Sequence, residues 1–137
     1  MNPQDLVTEF HTVFQAPVKT DGPGWHPDKA LMNLRLELIR EEWQELQDAY
    51  EEQDFVEVVD ALADLIYVIY GFANGIGIDL DKVLEEVHRS NMTKLDVNGD
   101  PVFREDGKVL KSELFEEPKI AEVLEEQGWL SGSGDNR

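Results

Sequence analysis

A chain of 137 residues with a formal charge of −18 and no cysteine excludes several classes at once. The length suits one domain with a real core. The missing thiols rule out disulfides and thiolate metal sites, and so acidic a surface repels nucleic-acid backbone. No apolar run approaches the ~18 residues of a membrane span, and the N-terminus lacks the basic-then-apolar pattern of a signal peptide. The expectation is a cytoplasmic protein with neither nucleic acid nor membrane as partner.

Asn2-Pro3 is a helix-start signal, a capping side chain followed by proline, and the first helix is predicted to run to about Gln15. Ala16 to Pro27 is rich in proline and glycine and reads as a loop. Its Trp25 could stack on a nucleobase, but a loop tryptophan more commonly covers the core. A long helix from about Asp28 to Glu52 follows, with a break at Gln53-Asp54. Asp54 caps a third helix reaching about Asn74, which Gly75-Ile-Gly77 ends, and Asp79 caps a fourth through about Met92. Asn98-Gly99 and Asp106-Gly107 are turn dipeptides, and Val102-Phe103 faces Val109-Leu110 across the second, predicting a small hairpin. A short helix is expected from about Glu117 to Gln127, then a frayed tail over 131–137. The sum is an all-α chain, one domain over 1–130, forming a four-to-five-helix bundle with a small β-hairpin appendage.

The third helix holds the anomaly. It is apolar on nearly every side, from Phe55 and Val56 to Val68 and Ile69, and so reads as a buried central helix. Its charges are Glu57, Asp60 and Asp64, which steps of three and four place on one stripe. The second helix repeats the pattern: Glu42 and Glu45 fall inside the arc of Leu31, Leu34, Leu38, Ile39, Leu46 and Ala49, with Glu41 at its edge. Burying unpaired carboxylates costs several kcal/mol each, so a cation must face them. It could be Lys29, Arg35 or Arg40. It could also be a divalent ion, and hard oxygen ligands without cysteine or suitably spaced histidine suit Mg²⁺ or Mn²⁺. His11, His26 and His88 are scattered, and Asp96-Val-Asn98-Gly-Asp100 departs from a calcium loop at Pro101 and Gly107.

Arg-Glu41-Glu42-Trp-Gln-Glu45-Leu, followed by Asp60-Ala-Leu-Ala-Asp64-Leu-Ile-Tyr, resembles the EExxE…ExxD signature of the all-α NTP pyrophosphatases. That superfamily includes MazG, dimeric dUTPases, dCTP pyrophosphatase and phosphoribosyl-ATP pyrophosphohydrolase. Ser90-Asn-Met-Thr-Lys94 and Phe103-Arg-Glu-Asp-Gly-Lys-Val-Leu-Lys111 look most like its phosphoribosyl-ATP-pyrophosphohydrolase-like, MazG-like branch. The glutamate three residues before the motif's final aspartate would fall at Ala61 here. Either Asp60 supplies that carboxylate, or the register is Glu57-Val-Val-Asp60 with Asp64 a neighbour. Candidate metal ligands are therefore Glu42, Glu45 and Asp64, then Asp60, then Glu41 and Glu57.

The resemblance implies metal-dependent hydrolysis of a nucleoside triphosphate to monophosphate and pyrophosphate, a nucleotide-pool cleaning role, with Glu41 or Glu42 as base. It also implies assembly as a homodimer or homotetramer, which an all-round apolar third helix calls for independently. Asn91 and Lys94 match the family's substrate-binding segment, and Arg104, Lys108 and Lys111 on the hairpin are further phosphate candidates. Phosphoribosyl-ATP hydrolysis is the nearest alternative. A non-catalytic helical module with an acidic binding face is another, kept open by Ala61.

Overall fold

The computed structural model describes residues 1–130, so the expected tail at 131–137 lies outside the described residues. It contains helices α1 (Pro3–Val13), α2 (Lys29–Glu51), α3 (Phe55–Gly75), α4 (Leu80–Met92) and α5 (Ile120–Glu126). Four of the starts are chemically specified. The side chains of Asn2, Asp28, Asp54 and Asp79 accept hydrogen bonds from the backbone N–H of Asp5, Leu31, Glu57 and Lys82 respectively. Each satisfies one of the donors orphaned by a helix N-terminus. The short α5 lacks a side-chain cap and starts later than expected, because Pro118 disfavours helical backbone at the residue before it.

α2 and α3 form the frame, an antiparallel helical hairpin whose longer arm spans roughly 34 Å at 1.5 Å per residue. Ala49 and Ala61 are buried along it, and small side chains there let the two backbones approach. Gln53, at φ 56°, turns the chain between them. α1 packs against α3, and α4 lies against α5 and α1. The hairpin around Asp106-Gly107 is reduced to a single antiparallel bridge, Phe103 to Val109, flanked by Leu110 N–H to Val102 O at 2.7 Å. A two-stranded ribbon with Phe103 and Val109 both exposed has no layer to pack on, so pairing stops early.

The expectation that α3 is buried on all sides is corrected for a single chain. Val59, Leu62 and Ile66 stay 51%, 47% and 51% exposed, and Phe55 and Ile69 extend the same stripe in steps of three and four. On α2, Leu36, Trp43 and Tyr50 are exposed seven residues apart. Trp43 is thus half exposed in the single chain. Tyr70 is core, and its hydroxyl donates to Asp81 at 2.6 Å. The acceptor and burial push the phenol up to about 12.

α1 is docked through polar groups. The buried Asn74 amide oxygen accepts from Gln4 Nε2 at 3.2 Å and Thr8 Oγ1 at 3.3 Å, while its nitrogen meets His11 Nδ1 at 3.1 Å. Arg35, also buried, donates to Gly71 O at 3.0 Å and Pro17 O at 2.7 Å. A cation near the carbonyl end of α3 complements the helix dipole. Burial first, and then the Arg35 charge, hold the His11 imidazole below its ordinary value of 6.5. The unfolded chain protonates His11 near 6.5 and the folded chain only at lower pH. Its contribution to stability is therefore complete above 6.5 and fades as pH falls below it. Thermal melts between pH 7.5 and 5.5 should show a loss that His11→Gln, which keeps an acceptor for Asn74, reduces.

The connection from α3 to α4 depends on Gly77. Its φ is +70°, and a Cβ there would stand 2.4 Å from Gly22 O. Gly77→Ala should lower stability by about 1–3 kcal/mol, read by urea denaturation.

Candidate metal centre

Helical spacing and the antiparallel hairpin together build the site. Glu42 and Glu45 lie one turn apart on α2, Asp60 and Asp64 one turn apart on α3, and α2 packs along α3. One carboxylate oxygen from each of Glu42, Glu45 and Asp64 lies within 4.8 Å of the others, a grouping that could hold a metal ion. Glu42 and Asp64 are half-buried, and Glu45 is exposed.

The electrostatics of the cluster are those of acids without a cation. The Glu42 carboxyl is pushed up to about 7, first by burial, then by a hydrogen bond to Glu45 and by the charges of Glu45, Asp64 and Asp60. Asp64 is raised by burial and by Asp60 and Glu45. No lysine or arginine enters either set of causes. Glu42 Oε2 is buried with no hydrogen-bond partner. An orphaned oxygen among mutually repelling carboxylates, with oxygen donors alone, fits a hard divalent cation. Of the protein cations proposed as alternatives, Arg35 is engaged with backbone carbonyls and Arg40 with Glu37 at 2.9 Å.

The remaining candidates are placed differently. Asp60 adjoins the cluster, being among the charges that raise both Glu42 and Asp64. Glu41 is exposed and acts on Arg40, and Glu57 is exposed in the first turn of α3. Neither belongs to the grouping within 4.8 Å. Asn91 and Lys94 sit at the end of α4, and Arg104, Lys108 and Lys111 on the appendage after it. Arg104 is bonded to Asp106 and Lys111 to Glu117, the latter also lying over the Phe115 ring at 4.7 Å. The appendage is pinned to α4 by Ser112 Oγ donating to Leu95 O at 2.7 Å and Ser90 Oγ to Glu116 O at 2.7 Å. Among the described residues, the ion pairs of Arg104 and Lys111 are with Asp106 and Glu117, not with the clustered carboxylates.

Sequence reasoning weighed Arg35 as a partner for the carboxylates and did not single out Asn74, whereas both are buried and bonded to groups from distant segments. Trp25 and Trp129 line one cavity at the far end of α3. Trp25 is therefore not a core cover: it is 66% exposed.

The family model for phosphoribosyl-ATP pyrophosphohydrolase matches residues 7–91, which include Glu42, Glu45 and Asp64 and the adjoining Asp60. The chain belongs to this family. It thereby falls within the MazG-like all-α NTP pyrophosphatase superfamily, and the five-helix architecture agrees. That family is one of metal-dependent pyrophosphohydrolases. An uncharacterized protein of Acanthamoeba polyphaga mimivirus is 34% identical over 106 residues, covering 77% of this chain. The chain spans only 38% of that protein's length. No described helix is long and apolar enough to cross a membrane.

Proposed function

We propose that the chain hydrolyses a nucleoside or deoxynucleoside triphosphate to the monophosphate and pyrophosphate, a nucleotide-pool cleaning activity. The observation that carries this reading is the uncompensated cluster of Glu42, Glu45 and Asp64, with Asp60 beside it. In the reaction, water adds to the α-phosphorus, the bond to the α,β-bridging oxygen breaks, and the water's proton is released. Glu42, Glu45 and Asp64 would hold Mg²⁺, or Mn²⁺ in its place, with Asp60 supplying the carboxylate that Ala61 lacks. When bound, the ion neutralises charge growing on the phosphate oxygens. Glu41 or Glu42 takes the water's proton. Asn91, Lys94, Arg104, Lys108 and Lys111 offer donors for phosphate oxygens, the lysines as point charges and Arg104 as a fork.

Assembly follows from the surface. The stripe Phe55, Val59, Leu62, Ile66 and Ile69 beside Leu36, Trp43 and Tyr50 has the spacing of a helix-packing seam. A second copy placing its own α2 and α3 against it would form a four-helix bundle, giving a homodimer or, by further pairing, a homotetramer.

Phosphoribosyl-ATP is the second substrate reading, and the family match favours it. Both contain an α,β-anhydride, so the deciding experiment is pyrophosphate release from NTPs, dNTPs and phosphoribosyl-ATP, with Mg²⁺ or Mn²⁺ and with EDTA. Metal-dependent release with one favoured substrate identifies it. Metal binding without release from any substrate would leave the cluster as an acidic docking face and sink the enzyme reading.

A further inference from the structure

At the end of α3 remote from the hairpin turn, three segments enclose an open cavity of about 480 Å³, lined by Pro23, Trp25, Ile76, Ile78, Leu124 and Trp129. It is firmly built. Lys19 N–H donates to Asn74 O at 2.9 Å and Gly24 N–H to Ile76 O at 3.0 Å, fixing the loop before α2 to the end of α3. Gln127 clamps α5 to the same region, accepting from Asp79 N–H at 2.8 Å and donating to Asp79 O at 3.1 Å. Gly22 and Gly77 meet too closely for any side chain at Gly77. Walls fixed in this way are pre-formed, as ligand sites of this size usually are.

The cavity's chemistry is unlike the rest of the surface. Its charged lining residues are Lys19 and Asp21, and these neutralise each other. The Lys19 ammonium is further held by Gly22 O at 2.7 Å. On a chain of net charge −18, this is a locally neutral, apolar hollow with two indoles in its wall. Indole faces favour flat heteroaromatic rings. The absence of a free cation in the described lining, set against the surrounding negative charge, disfavours a phosphorylated ligand. Nor is the cavity the base pocket of its own chain's carboxylate cluster. Ile76 lies twelve residues beyond Asp64 along α3, roughly 18 Å at the helical rise. Trp129 also falls outside the residues 7–91 that the family shares.

We propose that this cavity is a second ligand site, taking the uncharged heteroaromatic ring of a nucleoside or free base against Trp25 and Trp129. The site needs neither metal nor anhydride, so it stands apart from the hydrolytic reading and survives that reading's failure. Ring edges find polar partners in the Lys19–Asp21 pair and the adjoining backbone, while the ring faces contact the apolar wall.

The test uses the full chain in EDTA, titrated by calorimetry with adenosine and uridine, then with their triphosphates, and followed in parallel by thermal midpoint. Saturable nucleoside binding without metal, weaker for the triphosphates and unchanged in Glu45→Gln, is the expected result. Trp25→Ala, at an exposed position that leaves the helices intact by circular dichroism, should weaken binding about tenfold or more. No saturable binding of either nucleoside overturns the proposal. So does binding that requires metal or disappears in Glu45→Gln, since the ring would then sit at the carboxylates. A folded Trp25→Ala that binds like the parent, or triphosphates that bind more tightly than nucleosides in EDTA, overturns it equally.

Discussion

Glu45→Gln is expected to lower metal-dependent pyrophosphate release by more than about a hundredfold while leaving the helices intact. Substitutions that merely support a metal ligand typically cost 10- to 100-fold, so loss of a ligand should exceed that. Glu45 is exposed, so its substitution removes little buried surface. Lost activity with an unchanged circular dichroism spectrum and melting cooperativity would therefore report on the site and not on folding. Retained activity in the variant would remove Glu45 from the ligand set.

The same cluster has a signature in stability. Without metal, the Glu42 carboxyl titrates near 7 when folded, against an ordinary value of 4.5. The folded chain holds more protons than the unfolded one between those values, so stability falls as pH rises from about 4.5 through 7. His11 acts in the opposite direction, losing its contribution as pH drops below 6.5. Glu42→Gln should flatten the rise-with-acid component, and so should saturating Mg²⁺ or Mn²⁺, because the ion stabilises the ionised carboxylates. A melting profile in which Mg²⁺ and Glu42→Gln change nothing would contradict the cluster's assignment to a divalent ion.

Ile66→Asp is expected to convert an assembled protein into monomers. Ile66 is about half exposed in one chain and lies mid-seam between Leu62 and Ile69. Burying an unpaired carboxylate between two copies costs several kcal/mol, which weakens association at least about a hundredfold. Light scattering after size exclusion would read the change. Val97→Asp is the control, since Val97 is exposed and lies beyond the end of α4, outside both α2 and α3. A parent chain that is already monomeric would rule out the bundle.

Helix boundaries were legible because their determinants are local. Asn2, Asp28, Asp54 and Asp79 each satisfy a backbone donor three residues on, and that chemistry needs no tertiary context. The carboxylate stripe was legible for the same reason: a residue three or four positions along a helix always shares its face. The nearness of Glu42 and Glu45 to Asp64 needed one further fact, that α2 and α3 turn back on each other at Gln53.

Other features depended on which surfaces meet. Composition marks α3 as apolar all round, but only packing decides that α1 and α2 cover part of it and leave the Val59–Leu62–Ile66 stripe open. Burial of the polar Arg35 and Asn74 becomes tolerable only because carbonyls and a histidine from distant segments reach them. Trp25 and Trp129 stand more than a hundred residues apart, so no periodicity links them to one cavity. The sequence by itself determined the helices, their caps and the acidic face, all set by interactions within a few residues. Tertiary structure alone decided which polar groups are buried, which apolar face stays open and where a hollow forms, because those depend on contacts between segments that local spacing does not encode.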